Sequence, residues 1–267
     1  MTSELAGTFN FRDTGGMPLA GGGTTPFGVL YRSDALSDLT PAGLEVLAAT
    51  DIGVVVDLRT ALERELAPDR LPDSRPFRVV ALPVTEGALV GLAQQGAEAV
   101  AAGTDPAVLA ATAEAALALI PPLGDVYVEM LEHGATTFAE LARVVSATTA
   151  DPPTAVLVHC TAGKDRTGIA TALILDAVGV ERAAVVADYH ASQEHLDGPW
   201  AQRMFAMVQT LGVPVTDQIR ELVAGTPVEA IEKALAWVDA RGGSAAYLQQ
   251  GGLTDAELTA LRARLSG

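Results

Sequence analysis

The chain has 267 residues, enough to bury a sizeable core as one domain or as one domain with a subdomain. Its 33 acidic residues outnumber its 17 Lys and Arg residues, and the net charge of −16 argues against a basic footprint for nucleic acid or an anionic membrane. A single cysteine excludes an internal disulfide and favours a reducing compartment. The first residues lack the basic and apolar regions of a signal peptide, and no run of about 20 apolar residues occurs. We therefore expect no membrane span, in a protein that is cytoplasmic or secreted without a signal peptide.

The first 82 residues predict an alternation of short strands and helices. Thr40 is a helix N-cap followed by Pro41, which opens a helix that runs to Ala49. A shorter helix carries Glu63. The other segments are a glycine-rich loop or hairpin tip over residues 14–26 and strands over residues 29–32, 53–58 and 77–82. The strand at 53–58 is apolar almost throughout, which predicts burial on both faces.

Residues 87–121 differ in character from the rest of the chain. They are rich in alanine, contain no Lys or Arg, and are interrupted by Gly and Pro, which predicts two helices joined near residues 103–106. Two interpretations stay open. The segment is either a pair of ordinary core helices or a mobile insertion between a strand end and the rest of the domain, where lids occur.

The second half of the chain is mostly helical around one strand. Helical periodicity returns over residues 126–145, and the β-branched run 155–158 predicts a buried strand that ends at His159. A helical run follows over residues 169–175. Further helices are predicted over residues 181–189, 202–210, 217–223, 227–240 and 254–265. Since no internal repeat or linker divides the chain, we predict a single α/β domain over residues 1–267 with a helical C-terminal half.

The turn between that strand and the next helix holds the only cysteine, Cys160, with Arg166 six positions later. A strand–turn–helix of this kind points successive backbone N–H groups into one concavity at a helix N-terminus, which is an anion site. The same donors, with the charges of Lys164 and Arg166, stabilise a cysteine thiolate. The guanidinium offers a planar fork that matches two phosphate oxygens. The turn therefore combines a nucleophile, a phosphate cradle and a charge clamp, and it indicates a phosphatase.

Two other interpretations of this turn are weaker. A cysteine at a strand end is most often a small buried hydrophobe without reactivity. Here the neighbours favour a function because each has a part in the chemistry: His159, Gly163, Lys164, Arg166 and Thr167. A Walker A loop for nucleoside triphosphates is rejected, because Val158 occupies the position of its first glycine and Asp165 the position of its Ser or Thr.

Residues 159–168 read His-Cys-Thr-Ala-Gly-Lys-Asp-Arg-Thr-Gly. This loop resembles that of bacterial tyrosine phosphatases, mycobacterial ones among them, and of related lipid and dual-specificity phosphatases with the pattern H-C-x-x-G-K-D-R. Other matching segments lie in the expected order along most of the chain: residues 10–13 with Gly15 and Gly16, 31–33, 57–59 with Glu63, 187–189 and 243–248. The resemblance implies a cysteine-phosphatase-like fold, with a central, mostly parallel sheet flanked by helices.

The resemblance also implies an activity. Members of the family hydrolyse phosphotyrosine, and some of them also hydrolyse phosphoserine, phosphothreonine and phosphoinositides. The reaction needs no metal or other cofactor. The partners would be phosphorylated proteins or phosphoinositides and not nucleic acid, and no oligomeric state is indicated. Residues 87–121 would form a two-helix lid, which favours the mobile interpretation. Because this segment has no basic residue, we do not expect it to bind phosphate itself.

The loop residues receive individual roles. The Cys160 thiolate attacks phosphorus in line and forms a phosphocysteine intermediate, while Arg166 and backbone amides stabilise the equatorial oxygens. The Thr167 hydroxyl donates to the sulfur as it leaves, and His159 orients the loop. Lys164 adds a positive charge at the edge of the pocket, unless it is a solvated surface lysine. The predicted phosphate-binding residues are Thr161, Ala162, Gly163, Lys164, Asp165 and Arg166.

The leaving oxygen needs a proton, and two carboxyl groups could give it. Asp165, in the loop itself, is favoured over Glu86, which follows the strand at 77–82 where an acid on a movable loop is usual.

Four further residues are predicted to support the site. Arg59 and Glu63 are four positions apart, so either they form a helix-surface pair or Arg59 reaches the substrate from its strand end. Asp57, Arg12 and Asp13 are predicted to buttress the loop and not to take part in the chemistry.

Two functions from other classes remain as alternatives. A rhodanese-like sulfurtransferase also places a cysteine at the start of an anion-cradling loop, but Arg166 six positions after Cys160 favours phosphate. A non-catalytic phosphate-binding module would be expected to lack the nucleophile, which this chain retains.

Overall fold

The computed structural model describes residues 5–85, 103, 105, 108, 120–147, 154–210 and 213–266. Glu86 and almost all of segment 87–121 lie outside these residues. The two-helix lid, the acid role of Glu86 and the single-domain boundaries therefore stay predictions. Among the described helices, none has the length and apolar character needed to cross a membrane.

Five strands form one sheet in the order β1-β2-β5-β3-β4. They are β1 (Arg12–Asp13), β2 (Leu30–Ser33), β3 (Ile52–Asp57), β4 (Arg78–Ala81) and β5 (Ala155–His159). The pairing of β1 with β2 is antiparallel, and all other neighbours are parallel. The prediction of a central, mostly parallel sheet is confirmed.

The central strand β5 is buried along its whole length and divides two cores. Val156 and Val158 face the larger core, whereas Ala155 and Leu157 face the smaller one, because successive side chains of a strand point to opposite faces. Burial on both faces explains the unbroken apolar run in the sequence.

The C-terminal ends of the three inner strands meet at one edge of the sheet. His159 of β5 lies opposite Ser33 of β2 on one side and Asp57 of β3 on the other. In open α/β sheets this edge is where ligands bind. The strand order therefore brings together segments that are more than 100 residues apart in the chain.

Ten α-helices and one short 3-10 helix (Leu36–Asp38) occur among the described residues. The α-helices are α1 (Pro41–Ala48), α2 (Ala61–Leu66), α3 (Leu123–Ala147), α4 (Asp165–Val178), α5 (Arg182–Leu196), α6 (Pro199–Thr210), α7 (Asp217–Ala224), α8 (Val228–Asp239), α9 (Gly243–Gln250) and α10 (Asp255–Ser266). Helices α3, α4, α8, α9 and α10 close the larger core, and α1 covers the smaller one. The predicted helical C-terminal half is thus present in the described chain.

Several helices differ from prediction; the one predicted over residues 181–189, for example, continues to Leu196. The helix after the Cys160 turn begins at Asp165, so Arg166 and Thr167 belong to its first turn. Helix α9 was not predicted, because it follows Gly242 in a left-handed conformation and has no capping side chain to mark its start.

Candidate active site

The Cys160 turn joins β5 to α4 at the C-terminal edge of the sheet. Cys160 is 2% exposed, and its sulfur accepts a hydrogen bond from the Gly163 N–H at 3.3 Å. Gly163 has a φ of +69°, and a Cβ there would lie 2.3 Å from the Ser33 carbonyl oxygen of β2. Only glycine fits both the backbone conformation and this contact. The turn therefore curls tightly against β2 with an amide directed at the sulfur.

Arg166, in the first turn of α4, is held by Glu63 of α2. Its Nη1 donates to Glu63 Oε2 at 2.8 Å and its Nη2 to Oε1 at 2.7 Å, which is a bidentate pair. The Thr161 hydroxyl of the turn also donates to Oε1, at 2.7 Å. Glu63 thus ties the guanidinium to the turn.

Glu63 is held in turn by the start of its own helix. It forms a capping box with Thr60, in which each side chain bonds the other residue's backbone N–H. Burial disfavours the charged carboxylate. The hydrogen bonds and charge of Arg166, with the Thr161 hydroxyl and the Thr60 amide, nevertheless lower the pKa of Glu63 to about 2. The ion pair is therefore intact at any ordinary pH.

The carbonyls on the outer side of the turn are anchored from two directions. Asn10 Nδ2 donates to the Ala162 carbonyl at 3.0 Å, and Arg32 Nη2 donates to the Gly163 carbonyl at 2.7 Å. With these carbonyls held outward, the turn presents its amides inward.

Arg12 and Arg32 form a buried cluster with one carboxylate behind the turn. Asp188 Oδ1 accepts from Arg12 Nε at 2.9 Å, and Oδ2 accepts from Arg32 Nη1 at 2.5 Å. Both guanidinium groups also donate to the Ser192 hydroxyl. Burial disfavours the ionised carboxylate, but the two cations outweigh it and lower the pKa of Asp188. Arg12 also bonds Asn10, so it lies where a buttress of the turn was predicted.

Among the described residues, Asp13 makes no hydrogen bond to the Cys160 turn and bonds the glycine-rich loop instead. Its two carboxylate oxygens accept from the Gly15 and Gly28 amides, each at 2.8 Å. It closes the glycine-rich loop after β1, so its predicted place against the phosphate-binding turn is corrected.

Arg59 follows the end of β3, and its ion pairs among the described residues are with acidic residues other than Glu63. Its guanidinium bonds Asp57, an Asp69 oxygen at 2.8 Å and the Ala67 carbonyl at 2.7 Å. The side chain is fully buried, so neither a helix-surface pair nor a contact with substrate fits its position, and the supporting role stays a prediction. Glu63 is instead the partner of Arg166.

His159 is fixed by acceptors on both sides of its ring. Nδ1 lies 3.2 Å from the Cys160 carbonyl, and Nε2 lies 3.1 Å from Asp69 Oδ2. These two contacts restrain the orientation of the ring next to Cys160. His159 thus lies where the predicted orienting role requires.

Asp57, Asp69 and His159 offer ligand atoms close enough together to bind a metal ion. The Arg59 guanidinium is already ion-paired with both carboxylates. The positive charge at this position is therefore supplied by the protein itself.

Lys164 is 1% exposed, so it is not a solvated surface residue. Its Nζ donates to Asp165 Oδ1 at 2.7 Å. The same oxygen accepts the Tyr127 hydroxyl at 2.6 Å, and the Tyr189 hydroxyl lies 2.8 Å from that of Tyr127. A buried network therefore runs from the turn through α3 to α5.

Thr167 and Ala162 complete the turn. The Thr167 hydroxyl is buried and has no hydrogen-bond partner within the described part of the chain. Ala162 packs with Leu196, Trp200 and Ala201, and partly buried side chains lie against the same cluster: Phe9, Met204, Phe205 and Val223. The turn thus has an apolar, aromatic neighbour.

Sequence reasoning missed several members of the site. Asp69 and Tyr127 carry no local signal, because only the tertiary fold brings them to the turn. Arg32 and Asp188 stand within segments quoted for the family resemblance, but nothing in the sequence pairs them with each other.

The buried cysteine lies in a strand–turn–helix at the C-terminal edge of a mostly parallel sheet, with an arginine in the first turn of the helix that follows. The sequence pattern of the tyrosine phosphatase family matches residues 3–267, and the chain belongs to that family. The resemblance inferred from the sequence is confirmed.

Two relatives illustrate the extent of the likeness. A tyrosine-protein phosphatase of Nostoc commune is 31% identical over 173 residues, which are 65% of this chain and 51% of that protein. The triple specificity protein phosphatase PtpB of Mycobacterium tuberculosis is 30% identical over 288 residues, or 99% of each chain. The chain thus aligns with about half of the first relative and with nearly all of the second.

Proposed function

We propose that the protein is a cysteine-dependent phosphatase that hydrolyses phosphotyrosine through a phosphocysteine intermediate. The observation that carries this proposal is the setting of Cys160, whose sulfur accepts the Gly163 N–H at the N-terminus of α4. Donors of this kind stabilise a thiolate. The same turn carries Arg166, already restrained by Glu63, so little reorganisation is needed when a phosphoryl group binds.

In the first step the Cys160 thiolate attacks phosphorus in line with the ester oxygen. The S–P bond forms as the P–O bond to the tyrosyl oxygen breaks, and that oxygen leaves with the electron pair and takes a proton from an acid. The amides of the turn and the Arg166 guanidinium stabilise charge on the three equatorial oxygens.

In the second step water attacks the phosphorus of the phosphocysteine. The S–P bond breaks, inorganic phosphate forms, and the thiolate is regenerated, while the proton of the water returns to the carboxylate that gave one earlier. The Thr167 hydroxyl is proposed to donate to the sulfur as it leaves; it is buried next to Arg166 in the chain and makes no hydrogen bond within the described residues, so it is available for this role.

Asp165 is the proposed proton donor, in preference to Glu86. Asp165 stands in the turn itself at the first residue of α4, and its side chain is 16% exposed whereas its partner Lys164 is buried. A carboxyl group that is partly open at the turn can reach both a leaving oxygen and an attacking water.

Phosphotyrosine is the first choice of substrate because aromatic side chains lie beside the turn. Ala162 belongs to the cluster that holds Trp200, with Phe9 and Phe205 packed against it, and such a wall suits an aromatic leaving group. The relative PtpB is called a triple specificity protein phosphatase. Phosphoserine or phosphothreonine peptides and phosphoinositides are therefore proposed as further substrates of this chain. A catalytic thiol suits a reducing compartment such as the cytoplasm.

The nucleophile is tested with Cys160→Ser. We expect turnover of p-nitrophenyl phosphate to disappear while vanadate or phosphate still binds, because the cradle consists of backbone amides and Arg166. Acid quenching of the wild-type reaction should trap a phosphorylated Cys160, and a chelator should leave the rate unchanged. Substantial activity in Cys160→Ser would overturn the mechanism.

The rival reaction and the substrate class are tested with the wild-type protein. Thiosulfate, the substrate of a sulfurtransferase, should give no thiocyanate from cyanide under conditions in which p-nitrophenyl phosphate is hydrolysed. A panel of phosphotyrosine peptides, phosphoserine peptides and phosphoinositides then ranks the substrates by kcat/KM. Faster hydrolysis of phosphoinositides than of every peptide would contradict the preference for phosphotyrosine.

A further inference from the structure

The carboxylate of Asp165 is bound through only one of its two oxygens. Lys164 Nζ at 2.7 Å and the Tyr127 hydroxyl at 2.6 Å both donate to Oδ1. Among the described residues, no hydrogen bond ends on Oδ2. The two oxygens of this carboxyl group therefore stand in different environments.

The direction of each proton in the network follows from counting donors. Tyr127 has one hydroxyl proton and gives it to Asp165, so its oxygen must accept the proton of Tyr189 across their 2.8 Å contact. Burial raises the pKa of Tyr127 well above its usual value, and the neighbouring Asp165 charge and Tyr189 raise it further. Burial, followed by the Asp165 charge, likewise raises the pKa of Tyr189. Both tyrosines therefore stay neutral donors, and the order is Tyr189 to Tyr127 to Asp165.

We propose that Tyr127, supported by Tyr189, is a positioning residue that keeps Oδ1 of Asp165 an acceptor and so makes Oδ2 the oxygen that transfers the proton. This inference rests on the proposed role of Asp165 in the phosphatase reaction. In the first step the O–H bond of Oδ2 breaks and its proton passes to the leaving phenolic oxygen. In the second step Oδ2 takes the proton of the attacking water.

Protonation of Oδ1 is opposed by both of its donors. A proton there would face the Lys164 ammonium and the Tyr127 hydroxyl at once, and one of these contacts would be lost inside the protein. The remaining oxygen carries the proton without that loss. A fixed carboxyl group also spends less time in orientations from which it cannot reach the leaving oxygen.

The packing around the network is rigid enough to hold this geometry. Tyr127 lies on α3 and Tyr189 on α5, and their rings meet edge to face with centroids 6.0 Å apart. Helix α4 approaches Tyr189 so closely that a Cβ on Gly168 would lie 2.9 Å from its Cδ2 atom. Both tyrosines are fully buried, so the donor to Asp165 has no room to turn away.

The test is Tyr127→Phe, assayed with aryl phosphates whose leaving groups differ in pKa. We expect kcat/KM for phenyl phosphate, a poor leaving group, to fall roughly three- to tenfold, since one hydrogen bond to the acid is lost. The rate with the best leaving group should change less than about twofold, because it needs little proton transfer. Vanadate affinity should be unchanged. Equal slowing of all leaving groups would mean a merely structural role and would overturn the inference.

Two control variants separate positioning from the loss of a buried hydroxyl. Tyr247→Phe removes a buried hydroxyl that donates to the Leu131 carbonyl, away from the turn, and should leave the leaving-group dependence as in the wild type. Tyr189→Phe removes only the donor to Tyr127 and should give the same pattern as Tyr127→Phe with a smaller amplitude. If Tyr127→Phe is unfolded at the assay temperature, Tyr189→Phe serves as the test, and a wild-type leaving-group dependence in it overturns the inference.

A double-mutant cycle with Asp165→Asn distinguishes this inference from the proposed function. In the Asp165→Asn background the Tyr127→Phe change should have no further effect on leaving-group dependence, because it acts through Asp165. An additive effect overturns the positioning role alone. An unchanged leaving-group dependence in Asp165→Asn itself overturns both the acid assignment and the positioning role. The proposal of a cysteine phosphatase is decided separately, by Cys160→Ser.

Discussion

At the scale of single residues, Glu63 connects the Cys160 turn to a neighbouring helix through one carboxylate. Its carboxylate accepts hydrogen bonds from both terminal nitrogens of Arg166 and from the Thr161 hydroxyl. It also forms the capping box of α2 with Thr60. An arginine held in this way is already oriented before substrate binds. The sequence showed Glu63 as a helix residue four positions after Arg59 and as part of the family resemblance, but did not pair it with Arg166.

The Glu63→Gln variant separates these two functions. Glutamine also fits a capping box, so α2 should persist, but a neutral amide has one acceptor oxygen and loses the charge-assisted pair. We expect kcat to fall about tenfold or more with a smaller change in Tm. Since the pKa of Glu63 is about 2, its loss should add no new step to the pH–rate profile between pH 4 and 8.

The matched control for Glu63→Gln is Thr60→Ala. This change removes the capping hydroxyl and keeps the carboxylate, so it should lower Tm by more than it lowers kcat. A wild-type kcat in Glu63→Gln, measured with the same substrate, would show that Arg166 needs no such partner.

At the scale of elements, the site depends on how closely the turn approaches β2. The Gly163→Ala variant should lose most of its activity and become less stable, because φ is +69° and the added Cβ would meet the Ser33 carbonyl at 2.3 Å. The affected residue also supplies the amide that donates to Cys160. Activity and Tm are measured together. Gly179→Ala, at a left-handed cap with nothing within 4 Å of the added Cβ, is the control that carries the backbone strain without the clash.

The elements themselves were largely predictable from local patterns. Thr40 with Pro41 marked α1, and the apolar runs of β3 and β5 marked the buried strands, because cap chemistry and burial on two faces leave direct traces in the sequence. The loop order from Cys160 to Arg166 was equally visible, since its chemistry needs fixed spacing.

The contacts among distant elements were not predictable in this way. Tyr127 lies 38 residues before Asp165, and their bond exists only because α3 packs beside α4. For the same reason the sequence left the role of Arg59 open between a pair with Glu63 and a contact with substrate, whereas the fold brings Asp69 to its guanidinium. Such partners depend on tertiary packing, which overrides local spacing.

At the scale of the whole molecule, one buried carboxyl group and the net charge act on stability in the same direction. Burial raises the pKa of Asp34 to about 6 from its usual 3.8, although the amides of Asn10 and Phe9 act against the rise. Between these values the folded chain holds a proton that the unfolded chain has released, so this group stabilises the fold at lower pH and its contribution is lost as the pH rises through 6. The net charge of −16 at pH 7 also shrinks on acidification.

We therefore expect Tm to rise by about 5 °C when the pH falls from 8 to about 5. Below about pH 4 Tm should fall again, because Glu63, Asp69 and Asp188 have lowered pKa values and their contribution is lost as they become protonated. The measurement is thermal unfolding from pH 3 to 8 in low salt and in 1 M NaCl, where the Debye length of about 3 Å screens the net charge. The part of the rise that survives in high salt belongs to Asp34, and Asp34→Asn should remove it. If the rise persists at full size in Asp34→Asn at high salt, another group controls the stability of the fold in this range.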